Sequence, residues 1–282
     1  MNPDDLPTLR EALEAHGLWA NKRLGQHFLL DLNITRRIAK AAGDIAGNLV
    51  IEVGPGPGGL TRALLEAGAH VIAIEKDERF LPVLEPLIDW SDGRLQIVQG
   101  DALAVDQEAL VRENSPLPRG RTPIVSNLPY NVGTELLVRW LKAGAWRGDM
   151  TLMFQKEVAQ RIVAKAGDDA YGRLAVLAQA RCAARLEFTV PPRAFTPPPK
   201  VASAIVTLTD LDAPYPHLDT LERVTAAAFG QRRKMLRSAL RALTPNAEPL
   251  LLQADLEPTA RAEEVDQAGF RRLADAWRAV QG

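Results

Sequence analysis

A single cysteine, Cys182, in a chain of 282 residues leaves no second thiol for an internal disulfide. The four histidines, His16, His27, His70 and His217, are scattered, so no Cys/His cluster of ordinary zinc spacing exists and no metal is expected. No apolar run approaches the roughly 20 residues that span a bilayer. The N-terminus carries Asp4 and Asp5 rather than a basic stretch leading into an apolar one. A soluble, cytoplasmic protein with no membrane role is expected. A net charge of -1 excludes a general affinity for polyanions, so any nucleic-acid contact must come from local patches. Internal repeats and low-complexity tracts are also missing. What the chain does have is 46% hydrophobic residues, enough for one large core or a core with a small appended domain.

From Leu49 to Thr209, short apolar runs bounded by Gly or Pro alternate with longer amphipathic segments. This is the pattern of strands joined by crossover helices. Strands are expected near 49–53, 70–75, 95–98, 123–126, 151–154, 185–190 and 202–208. The runs Leu49-Val50-Ile51 and Val71-Ile72-Ala73-Ile74 lack alternation, as strands covered on both faces do. An α/β doubly wound, mostly parallel sheet of about seven strands follows. Around 210–216 the periodicity breaks, and Ala, Leu, Arg and Glu then dominate. The expected domains are therefore a catalytic one over 1–210 and a small helical one over 211–282.

The first strand runs into Glu52-Val53-Gly54-Pro55-Gly56-Pro57-Gly58-Gly59-Leu60-Thr61, a Gly-rich turn opening a helix. Ligands bind at such a place in open α/β sheets. Gly54, Gly56 and Gly59 also satisfy GxGxxG, which leaves a dinucleotide in competition. Two details favour S-adenosyl-L-methionine. Glu52 would repel a pyrophosphate but suits an amino group and a sulfonium, and Pro55 and Pro57 remove N–H groups that a phosphate would use. Glu75, at the end of the second strand, is placed to accept both ribose hydroxyls. Asp101, after the third, is placed to accept from the adenine amine.

The fourth strand ends in Asn127-Leu128-Pro129-Tyr130. The exocyclic nitrogen of adenine is a poor nucleophile because its lone pair is delocalised into the ring. Two acceptors aimed at the amine hydrogens localise it, and the Asn127 side-chain oxygen and the Leu128 carbonyl can supply them. Pro129 fixes the backbone, and Tyr130 offers a face for an extruded base, worth about 1 to 3 kcal/mol.

With this motif the chain resembles the ribosomal RNA adenine N-dimethyltransferases, and among them the bacterial type that dimethylates two adjacent adenines near the 3′ end of 16S rRNA. The resemblance runs from about Asn21 to Leu240. It rests on Lys22-Arg23-Leu24-Gly25-Gln26-His27-Phe28-Leu29, the Gly-rich loop, Ala73-Ile74-Glu75-Lys76-Asp77, Asn127 to Asn131, Phe195-Thr196-Pro197-Pro198-Pro199-Lys200-Val201, and Phe229-Gly230-Gln231-Arg232-Arg233-Lys234-Met235-Leu236. It implies a Rossmann-like fold and a reaction that leaves S-adenosyl-L-homocysteine. It also implies that His27 and Leu29 join Glu52, Gly54, Gly56, Glu75, Asp101 and Asn127 in holding the methyl donor, and that Phe195 is a second stacking face. His27 stands where many relatives have Asn. Val132-Gly133-Thr134-Glu135 replaces a small hydroxyl residue and a Pro.

Arg233, Arg237 and Arg241 recur every four residues, which on a helix makes one basic stripe, reinforced by Arg232 and Lys234. From Leu221 to Arg241 six basic residues face one acid, a local balance of +5. Together with Lys22, Arg23 and Lys200 these are the expected RNA contacts. The expected partner is 16S rRNA in the small ribosomal subunit or its precursor, with no obligate protein partner and a monomer as the default. The alternatives are a 23S rRNA adenine methylase of the macrolide-resistance type, a non-enzymatic ribosome-assembly factor on the same scaffold, and a nicotinamide oxidoreductase.

Overall fold

The computed structural model describes residues 6–18, 27–114 and 121–281. The chain forms two compact units, Met1–Ala159 with Leu186–Leu208, and Gln160–Arg185 with Thr209–Gly282.

In chain order the strands are β1 (Phe28–Leu29), β2 (Leu49–Val53), β3 (His70–Glu75), β4 (Leu95–Gln99), β5 (Thr122–Asn127), β6 (Arg147–Gln155), β7 (Cys182–Val190), β8 (Phe195–Thr196) and β9 (Ser203–Asp210). Seven of them form one sheet in the order β4-β3-β2-β5-β6-β9-β7. The pairs β2–β3, β3–β4, β2–β5 and β5–β6 are parallel, and β9 runs antiparallel to β6. Crossover segments carry the chain outward from β2 through β3 to β4, and β5 then returns to the other side of β2. The strand order reverses between β2 and β5, and the carboxyl ends of the strands on either side of such a point flank a crevice.

The apolar runs fill the middle of this sheet. Ile51 of β2 pairs with Ile72 on one side and Ile124 on the other, and none of the three is more than 1% exposed. Burial of each contributes about 1.5 to 3 kcal/mol. The helices Leu32–Ala41, Gly59–Glu66 and Leu81–Trp90 cover the sheet with Ile38, Leu64, Leu65, Leu84 and Leu87. The two-residue ladder of β1 with β8, Phe28 opposite Thr196 and Leu29 opposite Phe195, is too short to leave a periodic signal in the sequence.

The second unit is not the segment 211–282 by itself, because residues 160–185 also belong to it. Tyr171 donates its hydroxyl hydrogen to the Val265 carbonyl at 2.9 Å, and Gln267 donates to the carbonyls of Ala175 and Val176. Phe229 stacks on Phe270 with centroids 5.4 Å apart, and Tyr171 meets Phe229 edge-on. Partners this far apart in sequence are invisible to local periodicity. Among the described residues, no helix is long and apolar enough to cross a membrane.

Candidate active site

The carboxyl ends of β2, β3, β4 and β5 border a cleft of about 680 Å³, within the ordinary range for a small-molecule site. Two glycines shape the loop that borders it. Gly54 leaves β2 at φ +69°, and a Cβ there would lie 3.4 Å from Pro129 Cγ, so the Pro129 ring packs against the bare backbone of Gly54. Gly58 caps the helix Gly59–Glu66 at φ +84°, and a Cβ there would stand 2.4 Å from Leu87 Cδ1. Neither place admits an ordinary side chain without strain. Phe28 and Phe80, edge to face at 5.4 Å, supply an apolar wall to the cleft.

Three acids sit on successive strand ends. Glu52 is 1% exposed, with Thr61 Oγ1 donating to Oε2 at 2.7 Å. Burial pushes its carboxyl up to about 8, against the opposing Thr61 bond and with a smaller push from the Glu75 charge. Glu75 accepts from the Gly56 N–H at 3.0 Å and the Asp77 N–H at 2.8 Å, one on each oxygen. Burial raises its carboxyl too, and these backbone donors offset part of that. Each Glu75 oxygen keeps a lone pair for a further donor. Asp101 is the open member: Lys76 Nζ lies 2.8 Å from Oδ2 and the Leu103 N–H 3.0 Å from Oδ1, and the Lys76 bond holds this carboxyl below its usual range. A ligand amine at Asp101 therefore shares it with Lys76.

The Asn127-Leu128-Pro129-Tyr130 loop lies beside Gly54. The Leu128 side chain is 2% exposed, anchored where Gly133 lets it pack: a Cβ at position 133 would come within 3.4 Å of Leu128 Cβ. The Pro129 carbonyl accepts from the N–H groups of Val132 and Gly133 and so starts the helix Gly133–Lys142. Among the described residues no donor bonds to the Asn127 side-chain oxygen or the Leu128 carbonyl. Both residues border the cleft, so two acceptors there are not engaged within the described residues. Tyr130 is half-buried, its hydroxyl 2.6 Å from Ser203 Oγ, and burial raises its phenol above the ordinary value against the opposing Ser203 bond. His27 tilts against it at 34° with centroids 6.0 Å apart. A carbonyl only accepts, so His27 Nδ1 carries the proton that it donates to Pro197 O at 2.8 Å, leaving Nε2 for a ligand.

The structure gathers His27, Leu29, Glu52, Gly54, Gly56, Glu75, Asp101 and Asn127 to Tyr130 around one cleft. It does not bring Phe195 there. That ring is 2% exposed and packed in the core behind β1, held by the pairing of Leu29 with Phe195, so it offers no face to a base as it stands. Lys22 and Arg23 lie outside the described residues, and Lys200 is exposed.

In the second unit the basic stripe is interrupted. The helix Leu218–Gly230 stops before Gln231, Arg232 to Lys234 form a turn, and Arg237 and Arg241 follow on the short helices Leu236–Ala239 and Leu240–Ala242. Gly230 and the extended Met235 break the single helix that four-residue spacing suggests. Arg232 is paired with Glu263 at 2.9 Å, Arg237 with Glu248 at 3.5 Å, and Arg223 lies over the Trp277 ring at 4.7 Å. Arg233, Lys234 and Arg241 are exposed and have no such partner among the described residues.

Sequence reasoning missed Thr61, Ser203, Phe28 and Phe80. Thr61 and Phe28 fall inside motifs already singled out. Nothing local marks Ser203, which stands 73 positions from the tyrosine it touches.

A family model described as "Ribosomal RNA adenine dimethylase" matches residues 17–277. The chain is similar to the ribosomal RNA small subunit methyltransferase A of Phenylobacterium zucineum, 62% identical, with 99% of this chain and 95% of that one covered. Among solved structures it is similar to a dimethyladenosine transferase from Plasmodium falciparum, with a TM-score of 0.72, 24% identity and coverage of 88% and 96%. It is also similar to the 23S rRNA methyltransferase ErmE, with a TM-score of 0.66, 26% identity and coverage of 89% and 99%.

Proposed function

The chain belongs to the ribosomal RNA adenine dimethylase family, and from that premise we propose that it methylates the exocyclic amino groups of two adjacent adenines near the 3′ end of 16S rRNA, in the small ribosomal subunit of the cytoplasm. The observation that carries the reading is the pair of open acceptors, Asn127 Oδ1 and the Leu128 carbonyl, at the sheet's switch point beside Gly54.

The cleft suits S-adenosyl-L-methionine as the methyl donor. Its volume, the bare backbone at Gly54, the apolar wall of Phe28 and Phe80, and three carboxylates on successive strand ends match a ligand with a cationic amino-acid end, a ribose and an adenine. When bound, that cofactor supplies an electrophilic methyl carbon on a sulfonium. Glu52 faces the cationic end, Glu75 accepts the ribose hydroxyls and Asp101 the adenine amine, with His27 and Leu29 closing the site. Asn127 and Leu128 draw the hydrogens of the target amine and leave its lone pair directed at the methyl carbon. Tyr130 carries the splayed base. Lys200, Arg233, Lys234 and Arg241 are exposed cations suited to RNA phosphates.

Family membership removes the nicotinamide reading. Between the two ribosomal targets, the 62% identity to a small-subunit enzyme over nearly the whole chain outweighs the 26% identity to ErmE. The open acceptors argue against a scaffold that has lost catalysis. Incubation with unmethylated small subunits, followed by mass spectrometry of the RNA, is expected to find dimethyladenine near the 3′ end of 16S rRNA. Dimethyladenine found only in unmethylated 23S rRNA offered in a parallel incubation, or in neither RNA, overturns the reading.

A further inference from the structure

A stacking platform requires an aromatic face, and phenylalanine would provide one. Position 130 is nevertheless a tyrosine, and its hydroxyl shares a 2.6 Å hydrogen bond with Ser203 Oγ. Ser203 is fully buried and opens β9, where its backbone pairs with Gln155 of β6. The sheet fixes Ser203, and Ser203 fixes the far end of the phenol. The connection from β8 into β9 also holds the ring next to Tyr130, since Pro197 O accepts from His27 Nδ1. One stretch of chain, 197–203, therefore holds both rings that face each other at the cleft.

We propose that Ser203 is a positioning residue for methyl transfer: by tethering the Tyr130 hydroxyl it selects one orientation of the ring on which the target adenine stacks, and thereby the aim of the amine at Asn127 and Leu128. This rests on the reading of Tyr130 as the base-bearing face. An untethered tyrosine samples more than one staggered rotamer, and a displacement of about 1 Å at a reacting atom can cost a hundredfold in rate. Ser203 itself touches no substrate.

The test compares S203A, Y130F, the double variant and Y130A on unmethylated small subunits, with adenosylmethionine affinity measured separately by calorimetry. S203A and Y130F are each expected to lower kcat roughly five- to tenfold, the usual effect of one hydrogen bond. Cofactor affinity is expected to stay unchanged, and the double variant to fall no further than either single one. A merely structural serine would weaken cofactor binding along with turnover. Y130F probes the same bond without disturbing the buried serine, so the proposal stays testable if S203A folds poorly. Parental kcat in Y130F beside a strong loss in Y130A overturns the role of Ser203 alone, as does a double variant whose loss is the product of the two single losses. Parental turnover in Y130A overturns the stacking reading and this inference with it.

Discussion

Ser126 donates its hydroxyl hydrogen to the Val53 carbonyl at 2.7 Å, with both residues buried. The bond ties the end of β5, which leads into Asn127, to the end of β2, which leads into Gly54. Ser126→Ala removes the donor and leaves a buried carbonyl short of a partner. A stability loss of about 1 to 3 kcal/mol is expected in urea unfolding. Turnover should fall more than cofactor affinity, because the two strand ends lose their common anchor.

Asn127 is the side chain whose removal should separate chemistry from binding. Asn127→Ala is expected to lower methyl transfer on the order of a hundredfold, as loss of one preorganised polar group at a reacting atom does. Adenosylmethionine should still bind in calorimetry. Near-parental turnover would remove Asn127 from the chemistry.

The buried Glu52 gives the fold a pH dependence with a definite sign. Its carboxyl, ordinarily near 4.5, is raised to about 8 in the folded chain. Between those values the folded state holds a proton that the unfolded state has released, so stability falls as pH rises through this window and levels above it. Glu52→Gln keeps a partner for Thr61 and cannot ionise. The variant should lose this slope and gain on the parent by a few kcal/mol near pH 8.5, read by denaturant unfolding at several pH values. A cationic ligand favours the ionised form, so parental affinity for adenosylmethionine should rise with pH up to about 8, and that rise should vanish in the variant.

Among the described residues Arg233 and Lys234 have no ion-pair partner, whereas Arg232 is bound to Glu263. Replacing both with Ala should weaken binding to small-subunit RNA and reduce the slope of log K against log salt by about one for each phosphate no longer neutralised. Cofactor affinity should be untouched. An unchanged salt slope would show that the turn lies off the RNA.

The seven main strands were legible because a buried parallel strand must be a short apolar run between turn residues, and runs such as Leu49 to Val53 leave little other choice. The placing of the Gly-rich loop and the tetrapeptide at strand ends was legible for a related reason: glycine at 54 and 58 is dictated by backbone geometry, and each loop directly follows a buried strand. Less visible was anything set by burial. Phe195 has the residue type of a stacking face, but its pairing with Leu29 turns it into core. The arginine spacing reads as a helical stripe, since a period of four is the same whether or not Gly230 has already ended the helix.

The sequence by itself determined the sheet and set the acids and the Asn-Leu-Pro-Tyr loop at its strand ends, because each rests on interactions within a few residues of chain. Tertiary structure alone decided that Ser203 reaches Tyr130, that Glu52 is buried enough to hold a proton, and that residues 160–185 join the C-terminal helices. Those outcomes depend on which distant side chains share a volume from which water is excluded, and no local pattern encodes that.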